Sequence, residues 1–137
     1  MDVTKLPFVK KVGIVRAPDG RLILPFDSSI HNHLQTIHAS AQFALAETAS
    51  GNALQTLFPE LVGKVMPVLR DSHVKFKRPA QSAISAYAAV ENESCTKFTE
   101  QLLNKGRASI LVHVEIKDNE GVVTCVGEFT WFVQNVA

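Results

Sequence analysis

With 137 residues, 46% hydrophobic and 20% charged, and a formal net charge of +1, the chain has the composition of one globular domain with a sizeable core. The near-neutral balance argues against a basic nucleic-acid surface, no apolar run approaches the ~20 residues that span a bilayer, and Met1 to Pro7 lack the apolar core of a secretory signal. Cys95 and Cys125 have neither metal-ligand spacing nor a disulfide framework, so a reducing cytoplasm is the expected compartment.

Val12–Val15 and Leu22–Phe26 are predicted strands flanking the turn Ala17-Pro18-Asp19-Gly20, a first hairpin. A polar loop from Asp27 leads to the most informative segment, Asn32 to Gly51. From Ile37 to Ser50 it has no Lys, Arg, Pro or Gly, and its only ionisable residues are His38 and Glu47. A surface helix carries a charged face, so this one is expected to be wrapped by protein, with a carboxylate where burial is costly. Ala53–Val62 continues with helical spacing after Gly51, and Pro59 is positioned to split it.

From here the period changes. Met66–Phe76 and Ala83–Glu91 are expected strands, separated by Lys77-Arg78-Pro79-Ala80-Gln81. Asn92–Lys105 is an amphipathic helix with Asn92 suited to its start and Gly106 to its end. Ser109–Lys117 alternates Ile110, Val112, Val114 and Ile116 against Ser109, His113, Glu115 and Lys117. Asp118-Asn119-Glu120-Gly121 turns the chain into Val122–Val133. The expected class is α+β, an antiparallel β-sheet wrapped around a central buried α-helix.

Asn32, His38 and Glu47, with Gln35-Thr36 and the segment Val74 to Ala80, resemble the hotdog-fold acyl-CoA thioesterases of the phenylacetate-degradation type. Their pattern is Asn, five residues, His-Gly-Gly, then an acid nine residues after the His. The likeness spans Gly13 to Val133, with two departures. Ala39-Ser40 stands where the family has Gly-Gly, and the strand hydroxyl expected ahead of Pro79 falls near Leu69, with Ser72 the nearest alternative. The resemblance implies a single hotdog domain hydrolysing an acyl thioester as a homodimer or dimer of dimers. It implies no metal and no cofactor beyond the coenzyme A of the substrate.

On that resemblance Glu47 is the general base or nucleophile, and the Ala39 amide polarises the thioester carbonyl. Asn32 orients water or the acyl group, and His38 positions the helix start. Gln35, Ser40 and Phe43 are expected to contact substrate, and Lys77 and Arg78 to meet the phosphates of coenzyme A. Leu54, Phe58 and Phe76 are further pocket candidates, or simply core. His38 and Glu47 lie nine residues apart, opposite sides of a helix and ~13 Å along it, so a two-fold dimer is needed to bring them to one substrate. The same residues have structural readings: Glu47 as half of an ion pair, His38 as a cap, Asn32 as a turn former, Lys77 and Arg78 as a solvated strand end. His31 and His33 read as solvated loop residues rather than metal ligands. A hotdog module that binds a thioester or only dimerises is the main alternative function, and an enoyl-thioester hydratase or dehydratase is a third.

Overall fold

The computed structural model describes residues 1–136. A short helix α1 (Pro7–Val12) precedes the hairpin β1 (Val15–Arg16) and β2 (Leu22–Leu24). The long helix α2 (Ala39–Leu57) is followed by β3 (Val65–Phe76), β4 (Ile84–Ala89), α3 (Asn92–Lys105), β5 (Arg107–Lys117) and β6 (Val123–Asn135). The strands form one antiparallel sheet in the order β1-β2-β4-β5-β6-β3. It wraps around α2 in the α+β hotdog arrangement.

Alternation decides which face of the sheet meets the helix. β5 buries Ala108, Ile110, Val112, Val114 and Ile116, and its partner β6 buries Cys125, Gly127, Phe129 and Val133 on the same side. Against them α2 places Leu45, Ala46, Ala49 and Ser50, and small residues keep its backbone close to the strands. Polar groups on this buried helix are satisfied locally. Thr48 Oγ1 donates to the Ala44 carbonyl at 2.6 Å, Ser50 Oγ to the Glu47 carbonyl at 2.7 Å, and Thr124 Oγ1 to Gln42 Oε1 at 2.8 Å. At the far end α3 inserts Phe98 against Phe58, ring centroids 4.9 Å apart.

Three local expectations are corrected. Val12–Val15 is not a strand: Pro7 opens a helix at its first position, Gly13 ends it at φ +97°, and β1 keeps only Val15–Arg16. This N-terminal segment is clasped to α2, since Arg16 bonds both Asp2 (3.4 Å) and Asn52 (3.3 Å) and Gln55 Nε2 bonds the Met1 carbonyl (3.0 Å). Gly51 does not stop the central helix, which runs on to Leu57. Pro59 ends it there by opening a separate 3-10 turn, Pro59–Leu61. Asn92 is the first residue of α3 rather than its cap, a position held by Glu91 without a side-chain bond.

Phe129 shows how the sheet is fitted to the helix. Its ring meets Phe43 of α2 edge-on at 5.7 Å and overlies Gly127, where a Cβ would stand 2.7 Å from Cε2 and 3.1 Å from Cζ. Gly127→Ala is therefore expected to destabilise the protein by about 1–3 kcal/mol through overpacking. Equilibrium urea unfolding would show a lower midpoint at an unchanged slope.

Candidate active site

A tight loop delivers the start of α2. Asn32 Oδ1 accepts from the amides of Leu34 (2.9 Å) and Thr36 (3.1 Å), Asn32 Nδ2 donates to Thr36 Oγ1 (2.9 Å), and Gln35 takes up the left-handed conformation at φ +56°. This is an Asx turn, and it occupies both lone pairs of the Asn32 oxygen. The exit is pinned by Ile37 N–H to the Ala80 carbonyl (2.9 Å) and His38 N–H to the Ile30 carbonyl (2.8 Å).

His38 is the N-cap of α2. Its Nδ1 accepts from the Ser40 amide at 3.0 Å, and its carbonyl accepts from Ala41 (2.9 Å) and Gln42 (3.1 Å). An imidazole protonated at Nδ1 could not make this cap. The Ala39 amide is the exception among these first donors: among the described residues none accepts its hydrogen bond. The exposed helix start thus presents one free N–H where the helix dipole is positive.

Glu47 lies two turns along. It is half-buried and forms no ion pair among the described residues. Burial raises its carboxyl above the ordinary value, opposed only by the adjacent Thr48 hydroxyl. That hydroxyl is already committed to the Ala44 carbonyl, so the upward direction prevails. The carboxylate borders two recesses. An outer cleft at the helix start is lined by Phe8, Ala39, Ser40, Phe43, Glu47 and Phe76. An inner groove of about 370 Å³ runs the other way along α2 toward Phe58 and Phe98.

The structure brings Ser40, Phe43, Ala44 and Glu47 together on one stripe of α2, the i, i+3, i+4, i+7 spacing of a single helical face, with Ala39 beside them at the helix start. Asn32, Gln35 and His38 do not line this cleft and are bound up in the loop and cap. Lys77 and Arg78 are exposed just beyond Phe76, held by their amides to the Thr124 carbonyl at 2.8 and 3.2 Å. On β3 the register shifts between Leu69 and Asp71, so Leu69, opposite Trp131, and Ser72, opposite the buried Phe129, share the inner face. His31 lies edge-on to Phe26 at 4.3 Å, and its buried Nε2 has no partner among the described residues. Sequence reasoning missed Phe8, Gly51 and Trp131; the Pro7–Gly13 pair is the signal that marks α1.

The raised Glu47 carboxyl fixes a sign. Because the folded state disfavours the charged form, stability conferred by protonated Glu47 is complete below the carboxyl's unfolded value and is lost as pH rises through its higher folded value. Glu47→Gln is therefore expected to raise Tm at neutral pH, with the gain shrinking to nothing as acid protonates the wild-type side chain. Differential scanning fluorimetry across pH 4–8 checks this.

The structure resembles several solved ones at low sequence identity. A Pseudomonas aeruginosa protein of unknown function, described as a probable thioesterase, is 23% identical at TM-score 0.81, covering 98% of this chain and 91% of that one. A Haemophilus influenzae thioesterase is 22% identical at TM-score 0.76, covering 97% and 86%. A Bacillus halodurans protein solved with CoA is 19% identical at TM-score 0.71, covering 92% and 74%. These likenesses establish the fold. No curated protein matches the chain, and no helix among the described residues is long and apolar enough to cross a membrane. The match extends over residues 4–133 to a family described as "Domain of unknown function (DUF4442)", and the chain belongs to that family.

Proposed function

We propose that this protein hydrolyses an acyl-coenzyme A or related acyl thioester at a site built from two copies of the chain. The observation that carries the reading is Glu47: a half-buried carboxylate with raised proton affinity and no cation, facing a cleft whose other end holds a free helix-start amide. Supporting it are structural neighbours described as thioesterases and one solved with CoA. The phenylacetate-type resemblance in the sequence points the same way.

Glu47 takes a proton from water as the water oxygen attacks the thioester carbon. The carbonyl oxygen gains the negative charge and is held by the Ala39 N–H. Collapse then expels the thiolate, which is protonated to the free thiol. Direct attack by Glu47, giving an anhydride that water opens, uses the same geometry, and ¹⁸O entering Glu47 in a single turnover would reveal it. Ala39 and Glu47 are eight residues apart in one chain, ~12 Å along the helix, too far to act on one carbonyl. A second copy that sets its helix start beside the first copy's Glu47 closes the distance. β3 supplies a surface for this: twelve residues at the sheet edge, with Met66, Val68 and Phe76 exposed by 52%, 45% and 49%. Lys77 and Arg78, exposed beside the cleft, would meet the phosphates of coenzyme A on this reading.

Ala39 and Ser40 favour a second reading. Their side chains line the cleft where relatives have Gly-Gly, and crowding there would leave a module that binds thioesters without cleaving them. Thermal stabilisation by acyl-coenzyme A without thiol release would establish that alternative.

Two variants test the hydrolytic reading. Glu47→Gln is expected to lower kcat by about 10²–10⁴-fold, and the wild-type rate is expected to fall on acidification through the raised Glu47 value. Ala39→Pro removes the amide at a helix position that tolerates proline, behind a residue whose ψ of 140° already suits it. Its kcat should drop about 10²–10³-fold with the fold intact. Random re-pairing of the two variants should restore about a quarter of wild-type activity, since half the dimers regain one intact site. No recovery on mixing would confine the site to one chain.

A further inference from the structure

We propose that the inner groove receives the acyl chain of the substrate, an unbranched aliphatic one, and that Trp131 sets the length it accepts. The substrate class rests on the thioesterase reading above; the groove and its gate do not. Glu47 stands where the groove meets the outer cleft, and beyond it the lining is apolar apart from Thr48 and Gln55. No Lys or Arg lines it, so nothing there would hold a carboxylate, whereas a neutral acyl chain would find mostly apolar walls. From Glu47 to Phe58 the groove follows eleven residues of α2, ~16 Å, and its volume of about 370 Å³ suits a medium-length chain rather than a single ring. Phe58 and Phe98, their rings tilted at 47° with centroids 4.9 Å apart, line its far part. Hydrolysis would leave a new carboxylate beside Glu47, and like charges there favour release of the product.

Trp131 is fixed in the wall of this groove. Its Nε1 donates to Ser50 Oγ at 2.8 Å, and that hydroxyl donates to the Glu47 carbonyl at 2.7 Å. The indole edge rests on Gly51, where a Cβ would stand 3.1 Å from Cζ2 and 3.3 Å from Cη2. The ring is held by a bond on one side and on the other fills the space a side chain at 51 would take. Gly51, an unusual residue for a helix interior, is there because the indole needs its space. A chain entering past Glu47 therefore passes a ring that cannot swing aside.

Trp131 is the only tryptophan in the sequence, so its emission reports directly on the groove. The probes are S-alkyl coenzyme A thioethers, which cannot be hydrolysed, in ethyl, hexyl, decyl and hexadecyl forms, with free coenzyme A as control. Affinity is expected to rise about fourfold for each added methylene and then level off, with the emission shift appearing only for chains that reach the ring. By calorimetry, Trp131→Phe should move the plateau to longer chains. Gly51→Ala, which pushes the indole into the groove, should move it to shorter ones, and Ser50→Ala should blur the length limit if Gly51→Ala fails to fold. Affinity independent of chain length overturns the proposal, as does a phenylethyl thioether binding as tightly as the decyl one. Emission that responds to protein concentration and not to chain length also overturns it, assigning the groove to a second copy. Chain-dependent binding without thiol release from the matching thioesters supports the groove and defeats only the hydrolytic reading. Thiol release with chain-independent binding does the reverse.

Discussion

The close seating of α2 on the concave face of the sheet is the constraint from which the rest follows. Ala41, Ala44, Ala46, Ala49, Ser50 and Gly51 leave the helix thin enough to lie against β5 and β6, and Leu45 and Phe129 fill what remains. A helix so enclosed cannot leave polar groups to water, so each must find a partner in place. Gln42 has Thr124, Thr48 has the Ala44 carbonyl, and Ser50 joins Trp131 to the Glu47 carbonyl. Against this background Glu47 is conspicuous, because its half-buried carboxylate has no ion-pair partner among the described residues.

Much of the sheet was legible because alternation is a local property. Ile110, Val112, Val114 and Ile116 face the core as their period demands, and Asp118 to Gly121 turns the chain where the side chains favour it. What escaped depends on distant residues. Gly51 reads as a helix stop in isolation, and only the indole of Trp131 explains why the helix continues through it. Val12 to Val15 is too short an apolar run to distinguish strand from helix end, and the deciding residues are Pro7 and Gly13 outside it. The shift between Leu69 and Asp71 has no sequence signature, yet it determines which β3 side chains face inward. The site divides in the same way. That Ser40, Phe43 and Glu47 share one face follows from helical spacing. That Asn32 spends its side chain on the loop follows only from its hydrogen bonds.

The Ala39-Ser40 departure is less disruptive than residue identity suggests. The oxyanion donor proposed above would be a backbone group, and its direction is set by the helix start, which the His38 cap and the Ala80 and Ile30 carbonyls fix independently of any side chain at 39 or 40. Glycine at these positions would widen the approach without moving the donor. Alanine and serine narrow the cleft near the carbonyl and leave the groove beyond Glu47 unaffected. On the proposed thioesterase reading, selectivity close to the thioester and selectivity along the chain would therefore be set by different residues.

The placement of Glu47 has a thermodynamic cost that the fold opposes only through the adjacent Thr48 hydroxyl. A lysine or arginine lining either recess would lower the carboxyl's proton affinity and stabilise the folded state at neutral pH, but neither recess has one. The same absence makes the ionised carboxylate a stronger base toward water than an ordinary surface acid, since base strength follows proton affinity. Neither recess holds a cation that would quench it. Stability given up at one half-buried position, in a helix anchored along the rest of its length, is the expected arrangement when the position is kept for chemistry rather than for packing.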